Sequence, residues 1–294
     1  MKVLSLFDGM SCGQIALERI GIKVDTYYAS EINKESINIT QKNYPNTVQL
    51  GDVTKLDSSK LKSLGKINLL FGGSPCTNLS RTVINNYEHN QGLDGEHSKL
   101  FYEFVRILYE IEPEYFLLEN VESMSDQDRD IISENLKVEP IMIDSALVSA
   151  QDRKRYYWTN IPNIKQPEDK NLYIEDILET EVDEKHFYSQ TFDFHGNDKK
   201  VIATLHINGH DILRRVYNPK FKCATLTACR GGYKQKKVLL NGRVRKLTPT
   251  EYERLQTVPE GYTEGVADSH RYNMMGDGWT IDVISHIFKS IKNT

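Results

Sequence analysis

Val3-Leu4-Ser5-Leu6-Phe7 runs without a break into Asp8-Gly9-Met10-Ser11-Cys12-Gly13. An apolar strand feeds a glycine-containing turn that opens a helix, the first half of a βαβ unit. The pattern repeats outward from there. Strands are expected near Val3–Phe7, Tyr27–Ser30, Val48–Gly51, Ile67–Gly72, Tyr115–Glu119, Pro140–Asp144 and Tyr156–Thr159, with helices between them such as Gly13–Ile20, Ser36–Asn43 and Leu100–Ile111, the last capped by Ser98. The implied fold class is α/β, a doubly wound and mostly parallel sheet. Such sheets bind ligands beyond the carboxyl ends of their strands, so the residues just after each strand are the candidate site.

The 294 residues suffice for one large or two unequal domains, and charged content of 27% with hydrophobic content of 39% excludes a disordered chain. The rhythm stops after residue 160, which sets the expected boundaries at 1–160, a smaller basic domain over 161–265, and a segment over 266–294 that returns to the first domain. Net charge is -4, but residues 190–250 hold 13 Lys and Arg against 3 Asp and Glu. A segment with a balance of +10 in an acidic chain points to a polyanionic partner. No apolar run approaches the length of a membrane span, and the start at Met1-Lys2 has no signal-peptide pattern, so a cytoplasmic protein is expected. Four cysteines without a Cys-x-x-Cys pair fit a reducing compartment. A zinc site from His206, His210, Cys223 and Cys229 is disfavoured, because Cys-x5-Cys is wide for a structural knuckle.

Each strand end carries a candidate. The turn Phe7-Asp8-Gly9 to Gly13 lacks the Gly-x-Gly-x-x-Gly of a pyrophosphate cradle and suits a phosphate-free adenosyl ligand. Glu31 follows the second strand at the spacing of a ribose-binding carboxylate, with Ile32 beside it, and Asp52-Val53 follows the third. Taken singly, each also reads as a turn glycine or a hydrated strand-end carboxylate. After the fourth strand, Ser74-Pro75-Cys76 presents a thiol in a rigid turn, where a lowered pKa would make it a nucleophile; a lone cysteine is otherwise a small core residue. Thr77 to Glu96 reads as a loop that closes over a substrate. Glu119 ends the fifth strand, where partial burial would favour its acid form and so donation to a ring nitrogen. Alternation along Gln151-Asp152-Arg153-Lys154-Arg155 puts Arg153 and Arg155 on one face, either as a solvated charge run or as a grip on phosphate and base.

In this order the motifs resemble the DNA (cytosine-5) methyltransferase family, most closely the catalytic domains of de novo methyltransferases, and the resemblance spans nearly the whole chain. It implies a Rossmann-like class I S-adenosylmethionine-dependent methyltransferase with a smaller target-recognition domain. Phe7, Asp8, Gly9, Gly13, Glu31, Ile32, Asp52, Val53, Ser74 and Pro75 would then serve the cofactor, with Asp277, Gly278 and Trp279 completing its pocket and S-adenosylhomocysteine as product. Cys76 would be the nucleophile, Glu119 would engage the cytosine edge, and Arg153 and Arg155 would support the flipped base. Ser80, Thr225, Thr227, Arg230, Lys234, Arg243 and Arg245 would contact double-stranded DNA. Departures are Thr77-Asn78-Leu79 in place of Gln-x-Phe, Asp277 in place of Asn, and Ser11 in place of a bacterial glycine. A related branch of the family acts on transfer RNA, and a non-catalytic DNA-binding scaffold is a third reading. The aromatics opening the helix at Phe101-Tyr102 have two readings, self-association as in de novo relatives, and core packing.

Overall fold

The computed structural model describes residues 1–75, 99–229 and 232–292. They form two compact units. The first comprises Met1–Ile143, Lys154–Gln166 and Ile284–Thr294, the second Asp144–Arg153 and Pro167–Val283.

The first unit is built on a seven-stranded sheet with β1 (Lys2–Leu6), β2 (Thr26–Ser30), β3 (Val48–Gln49), β4 (Leu69–Gly73), β5 (Tyr115–Val121), β6 (Ile141–Asp144) and β7 (Lys154–Thr159) in the order β3-β2-β1-β4-β5-β7-β6. All pairings from β3 through β5 are parallel, and β7 runs antiparallel to β5. Val3, Leu4, Leu6, Leu69, Leu70 and Phe71 are wholly or almost wholly buried, which is why these strands read as continuous apolar runs rather than alternations. Around the sheet lie α1 (Cys12–Arg19), α2 (Lys34–Asn43), α3 (Ser58–Ser63), α4 (Leu100–Ile111) and α5 (Asp126–Leu136). Chain order reverses between β1 and β4, so the switch point that favours ligand binding lies at their carboxyl ends.

Gly13 lies in α1 against the sheet. A Cβ there would come within 2.3 Å of the Phe71 ring, so glycine lets helix and sheet approach. Phe101, Phe104, Ile107 and Leu108 form the buried stripe of α4, so Phe101 is core while Tyr102 is exposed. Ser98 lies outside the described residues, and Lys99 stands at the cap position without a side-chain bond. The third strand stops at Gln49, short of the expected Gly51, where the backbone turns left-handed at φ +77°. No helix among the described residues is long and apolar enough to cross a membrane.

The second unit holds a five-stranded sheet in the order β12-β11-β10-β9-β8, from β8 (Phe192–Phe194), β9 (Val201–Leu205), β10 (Arg215–Tyr217), β11 (Lys237–Leu240) and β12 (Arg243–Lys246). Its helices are α6 (Asp211–Arg214), α7 (Pro249–Leu255) and α8 (Asp268–Asp277); α9 (Ile281–Lys292) follows. The boundaries differ from the expected 160 and 265. Residues 144–153 belong to this unit because they bond to its interior, Cys223 N donating to Ala150 O at 2.7 Å and Asp152 N to Cys223 O at 2.8 Å. Residues 266–283 stay with it because α8 packs on α7, with the Tyr252 and Tyr272 rings 4.7 Å apart and edge-on. Only from Ile284 does the chain rejoin the first unit, where Phe288 lies 5.5 Å from Phe71 and Ser285 Oγ donates to Ala16 O.

Arg245, expected at the DNA, is instead buried in this second unit. It is 1% exposed, and both its terminal nitrogens donate to Glu251, at 2.5 and 2.7 Å. Glu251 also accepts from the Thr248 and Glu179 backbones, closing the capping box of α7. Breaking so buried a pair from one side costs about 3–5 kcal/mol, so Arg245 serves the fold.

Candidate active site at the strand ends

In the first unit the turn after β1 is wound through alternating left-handed residues, Phe7 at φ 55°, Gly9 at φ 58° and Ser11 at φ 63°. Two of the three are not glycine, and strain of this kind is held only where the surroundings determine it. Asp8 determines it. Its buried carboxyl accepts from Ser11 Oγ and, at 2.6 Å, from the Tyr27 hydroxyl on β2, while Thr40 donates to Ser11 from α2. Asp8 therefore points inward and shapes the turn rather than facing a ligand. The side of Gly9 where a Cβ would stand is open, with nothing within 4 Å.

Burial pushes the Asp8 pKa up to about 6; the bonds from Ser11, Ser5 and Tyr27 act against the shift, and nearby Glu31 adds to it. Between 3.8 and about 6 the native state keeps a proton that the unfolded chain has released. This contribution to stability is thus complete below about 3.8 and is lost as pH rises through 6. Relative to Asp8→Asn, the wild type should lose on the order of 3 kcal/mol between pH 4 and pH 7. Urea titrations of both proteins at the two pH values measure this, and a difference independent of pH would contradict it.

Glu31 ties two elements together. One carboxylate oxygen accepts from Gly9 N at 2.7 Å, the other from Ile32 N and Asn33 N at 2.7 and 2.8 Å, where α2 begins. Ile32 beside it is 73% exposed, an apolar side chain standing in solvent at a strand end. Asp52 caps the short turn that holds buried Val53. Its carboxylate accepts from the Thr54 backbone and hydroxyl, and the backbone bond is the main reason its pKa lies below the usual range.

At the end of β4 the Ser74-Pro75 turn is fastened to β5. Asn120 Nδ2 donates to Ser74 Oγ at 3.1 Å and to Ser74 O at 3.3 Å, and Asn120 Oδ1 accepts from Val121 N. Next to Asn120, Glu119 is 8% exposed and pairs with Arg155, Nε to Oε1 at 2.8 Å. The antiparallel register explains the pair: Arg155 stands opposite Val121, one pleat from Glu119, which puts both side chains on one face as diagonal neighbours. Glu119 is buried as the sequence suggested, and a guanidinium stands against it. Cys76, Ser80 and the loop from Thr77 to Glu96 lie outside the described residues, as does Arg230.

In the second unit Arg153 departs from expectation. It precedes β7 and is 4% exposed, with its guanidinium donating to the carbonyls of Leu226, Gly276 and Gly278 at 3.0 to 3.2 Å. It organises the backbone of two other motifs instead of sharing a face with Arg155. Gly276 must be glycine, since a Cβ would stand 2.2 Å from the backbone of Thr227 and Ala228. Gln256 donates to Met275 O and Gly278 O, fixing the stretch that carries Asp277, Gly278 and Trp279. Thr225 donates to Asp152 O, whereas Thr227 and Lys234 are exposed.

Much of the basic segment is committed within the protein. Lys236, Lys237 and Arg245 are buried, and Lys200, Arg215, Lys222 and Arg243 pair with Asp152, Asp211, Asp169 and Glu184. Arg243, expected at the DNA, spends two donors on Glu184. Of the histidine and cysteine residues weighed for zinc, His206 pairs with Asp193 and Cys223 is fully buried.

Compared with known proteins, the chain matches the family described as C-5 cytosine-specific DNA methylase over residues 1–293. It belongs to that family. Type II methyltransferase M1.ScrFI of Lactococcus lactis subsp. cremoris is 26% identical over 97% of this chain and 76% of its own length. DNA (cytosine-5)-methyltransferase DRM1 of Arabidopsis thaliana is 40% identical over 118 residues, which are 37% of this chain and 18% of that protein. The solved structure of the Entamoeba histolytica methyltransferase EhMeth superposes with a TM-score of 0.76 at 17% identity, covering 100% of this chain and 98% of that one, a likeness of fold. The chain is thus a DNA (cytosine-5)-methyltransferase by family, with the class I methyltransferase fold.

Two residues of this methylase have positioning roles that the sequence did not assign. Asn120, which the sequence offered only as the middle of Glu119-Asn120-Val121 and without a role of its own, pins the turn before Cys76. Tyr27 holds Asp8, and a strand tyrosine gives no sign of where its hydroxyl points.

Proposed function

We propose that this methylase transfers a methyl group from S-adenosylmethionine to C5 of a cytosine flipped out of duplex DNA, with Cys76 as nucleophile. The observation that carries this reading is the Glu119–Arg155 pair at the same sheet edge as the Ser74-Pro75 turn, the two joined by Asn120. C5 of cytosine is not nucleophilic in the aromatic ring, so the reaction needs covalent activation. Cys76 thiolate adds to C6 while Glu119, steadied by Arg155, engages N3. C5 becomes electron-rich, takes the methyl group and loses its proton to solvent, and Cys76 leaves. Unstacking the base costs a few kcal/mol, which phosphate contacts from the basic domain offset.

The strand ends suit the cofactor. The space beside Gly9 is open, the exposed Ile32 side chain offers a face for an adenine ring, and the Glu31 and Asp52 carboxylates stand where ribose hydroxyls and the adenine amino group would be met. Bound there, S-adenosylmethionine supplies an electrophilic methyl on a sulfonium. Phe7, Glu31, Ile32, Asp52 and Val53 hold it in this reading, with Ser74 and Pro75 as further contacts, while Asp8 and Gly13 shape the turn.

Competition between unmodified duplex DNA and transfer RNA for labelled methyl groups tests the substrate. The expected product is 5-methylcytosine in the duplex. Label in transfer RNA alone would overturn the reading, and label in neither would favour a non-catalytic scaffold.

A further inference from the structure

Lys237 opens β11 in the second unit and is 1% exposed, yet it carries an ammonium. That group donates to three backbone carbonyls, Leu213 O at 2.8 Å, Tyr233 O at 2.6 Å and Gln235 O at 3.0 Å. It also sits 5.6 Å from the centre of the Tyr188 ring. Leu213 belongs to the short helix α6, Tyr233 to the loop before β11. Two segments 20 residues apart in sequence are therefore fastened side by side by one buried charge.

Each segment leaves an apolar side chain outside. Ile212 is 52% exposed and Tyr233 is 38% exposed, with the Tyr233 ring propped at 6.0 Å against Tyr188. A single exposed apolar residue is ordinary. Two on segments locked by a common clamp, with the exposed Lys234 directly after Tyr233, have the chemistry of a nucleic-acid surface, in which apolar side chains meet bases and cations meet phosphates; Arg214, near Ile212, is half-buried and donates to Leu205 O.

We propose that Ile212 and Tyr233, held together by Lys237, form a two-pronged apolar contact that seats against the bases of duplex DNA, with Lys234 beside them on the phosphates. The proposal rests on the duplex-DNA reading above and adds the residues that set its sequence preference. Lys237 is a positioning residue in this arrangement, and the two tips make the contact.

The test uses the full chain and a duplex library with randomised flanks around cytosine, read by single-base sequencing of 5-methylcytosine. Both tips are surface positions, so Ile212→Ala with Tyr233→Ala should leave folding and S-adenosylhomocysteine binding unchanged. The double variant is expected to lose about tenfold or more in kcat/KM on the preferred sequence and to flatten base preference at some flanking positions. Its slope of log affinity against log salt should match the wild type, whereas Lys234→Gln should lower that slope by about one. Lys237→Met should reproduce the flattened profile. A double variant with the wild-type base profile would overturn the proposal while leaving duplex methylation standing. A wild type that methylates no duplex at all would overturn both.

Discussion

Glu119→Gln is expected to slow methyl transfer by about 10²- to 10⁴-fold, the range over which a positioned proton-transfer group contributes. Glutamine keeps the size and can still meet a ring nitrogen, but it cannot trade a proton with N3 and no longer neutralises Arg155. Because Glu119 sits on β5 and Glu31 on the turn after β2, the affinity for S-adenosylhomocysteine should stay within about twofold of wild type, an order-of-magnitude bound. Arg155→Ala should also be severe, since it removes a charged partner from a buried carboxylate. Arg155→Lys should recover only part of the loss, because a flexible ammonium does not reproduce a fixed Nε–H aimed at Oε1. Single-turnover rates on a preformed DNA complex separate these effects from weakened binding. If Glu119→Gln turns over at the wild-type rate, Glu119 takes no part in the chemistry.

The strand ends were legible in the sequence because parallel strands buried on both faces write themselves as apolar runs, and the residue after each run is then fixed in place. Val3 to Leu6 and Tyr115 to Leu118 are of this kind, and they put Glu31, Asp52, Ser74 and Glu119 at one sheet edge. What a run cannot reveal is the partner of a charge. Arg153 and Arg155 have the spacing of one face, yet β7 begins between them at Lys154, and the guanidinium of Arg153 turns to three carbonyls while that of Arg155 turns to Glu119. Arg245 and Lys237 count as positive charge in a basic segment, yet their strands bury them, so the segment offers a polyanion fewer cations than its composition suggests. The domain limits differ from the expected 160 and 265 for a related reason. Residues 144–153 and 266–283 are assigned by bonds to distant residues such as Cys223 and Tyr252, which leave no local mark in composition.

The fold itself rests on ordinary terms, and the site has polar groups placed where apolar ones would cost less. The buried Asp8–Tyr27–Ser11 cluster keeps Phe7 and Ser11 in left-handed conformations that the chain alone would abandon. Asn120 uses a buried amide at the end of β5 to hold the Ser74 turn. Both arrangements spend stability on geometry at the strand ends, which is where the proposed chemistry happens.

Covalent catalysis by Cys76 is the central claim, and Cys76→Ala is its largest expected effect, a loss of about 10⁴-fold or more, in keeping with removal of a catalytic nucleophile. The direct measurement is methyl transfer from S-adenosylmethionine to unmodified duplex DNA by wild type and Cys76→Ala side by side, read by single-base sequencing of 5-methylcytosine. A duplex carrying 5-fluorocytosine at the target accompanies it, since fluorine at C5 cannot leave as a proton and should strand the protein on the DNA. The account predicts 5-methylcytosine and a denaturation-resistant protein–DNA adduct with wild type, and neither with Cys76→Ala. Methylation at a comparable rate by Cys76→Ala, or turnover by wild type without any trapped adduct, would contradict it.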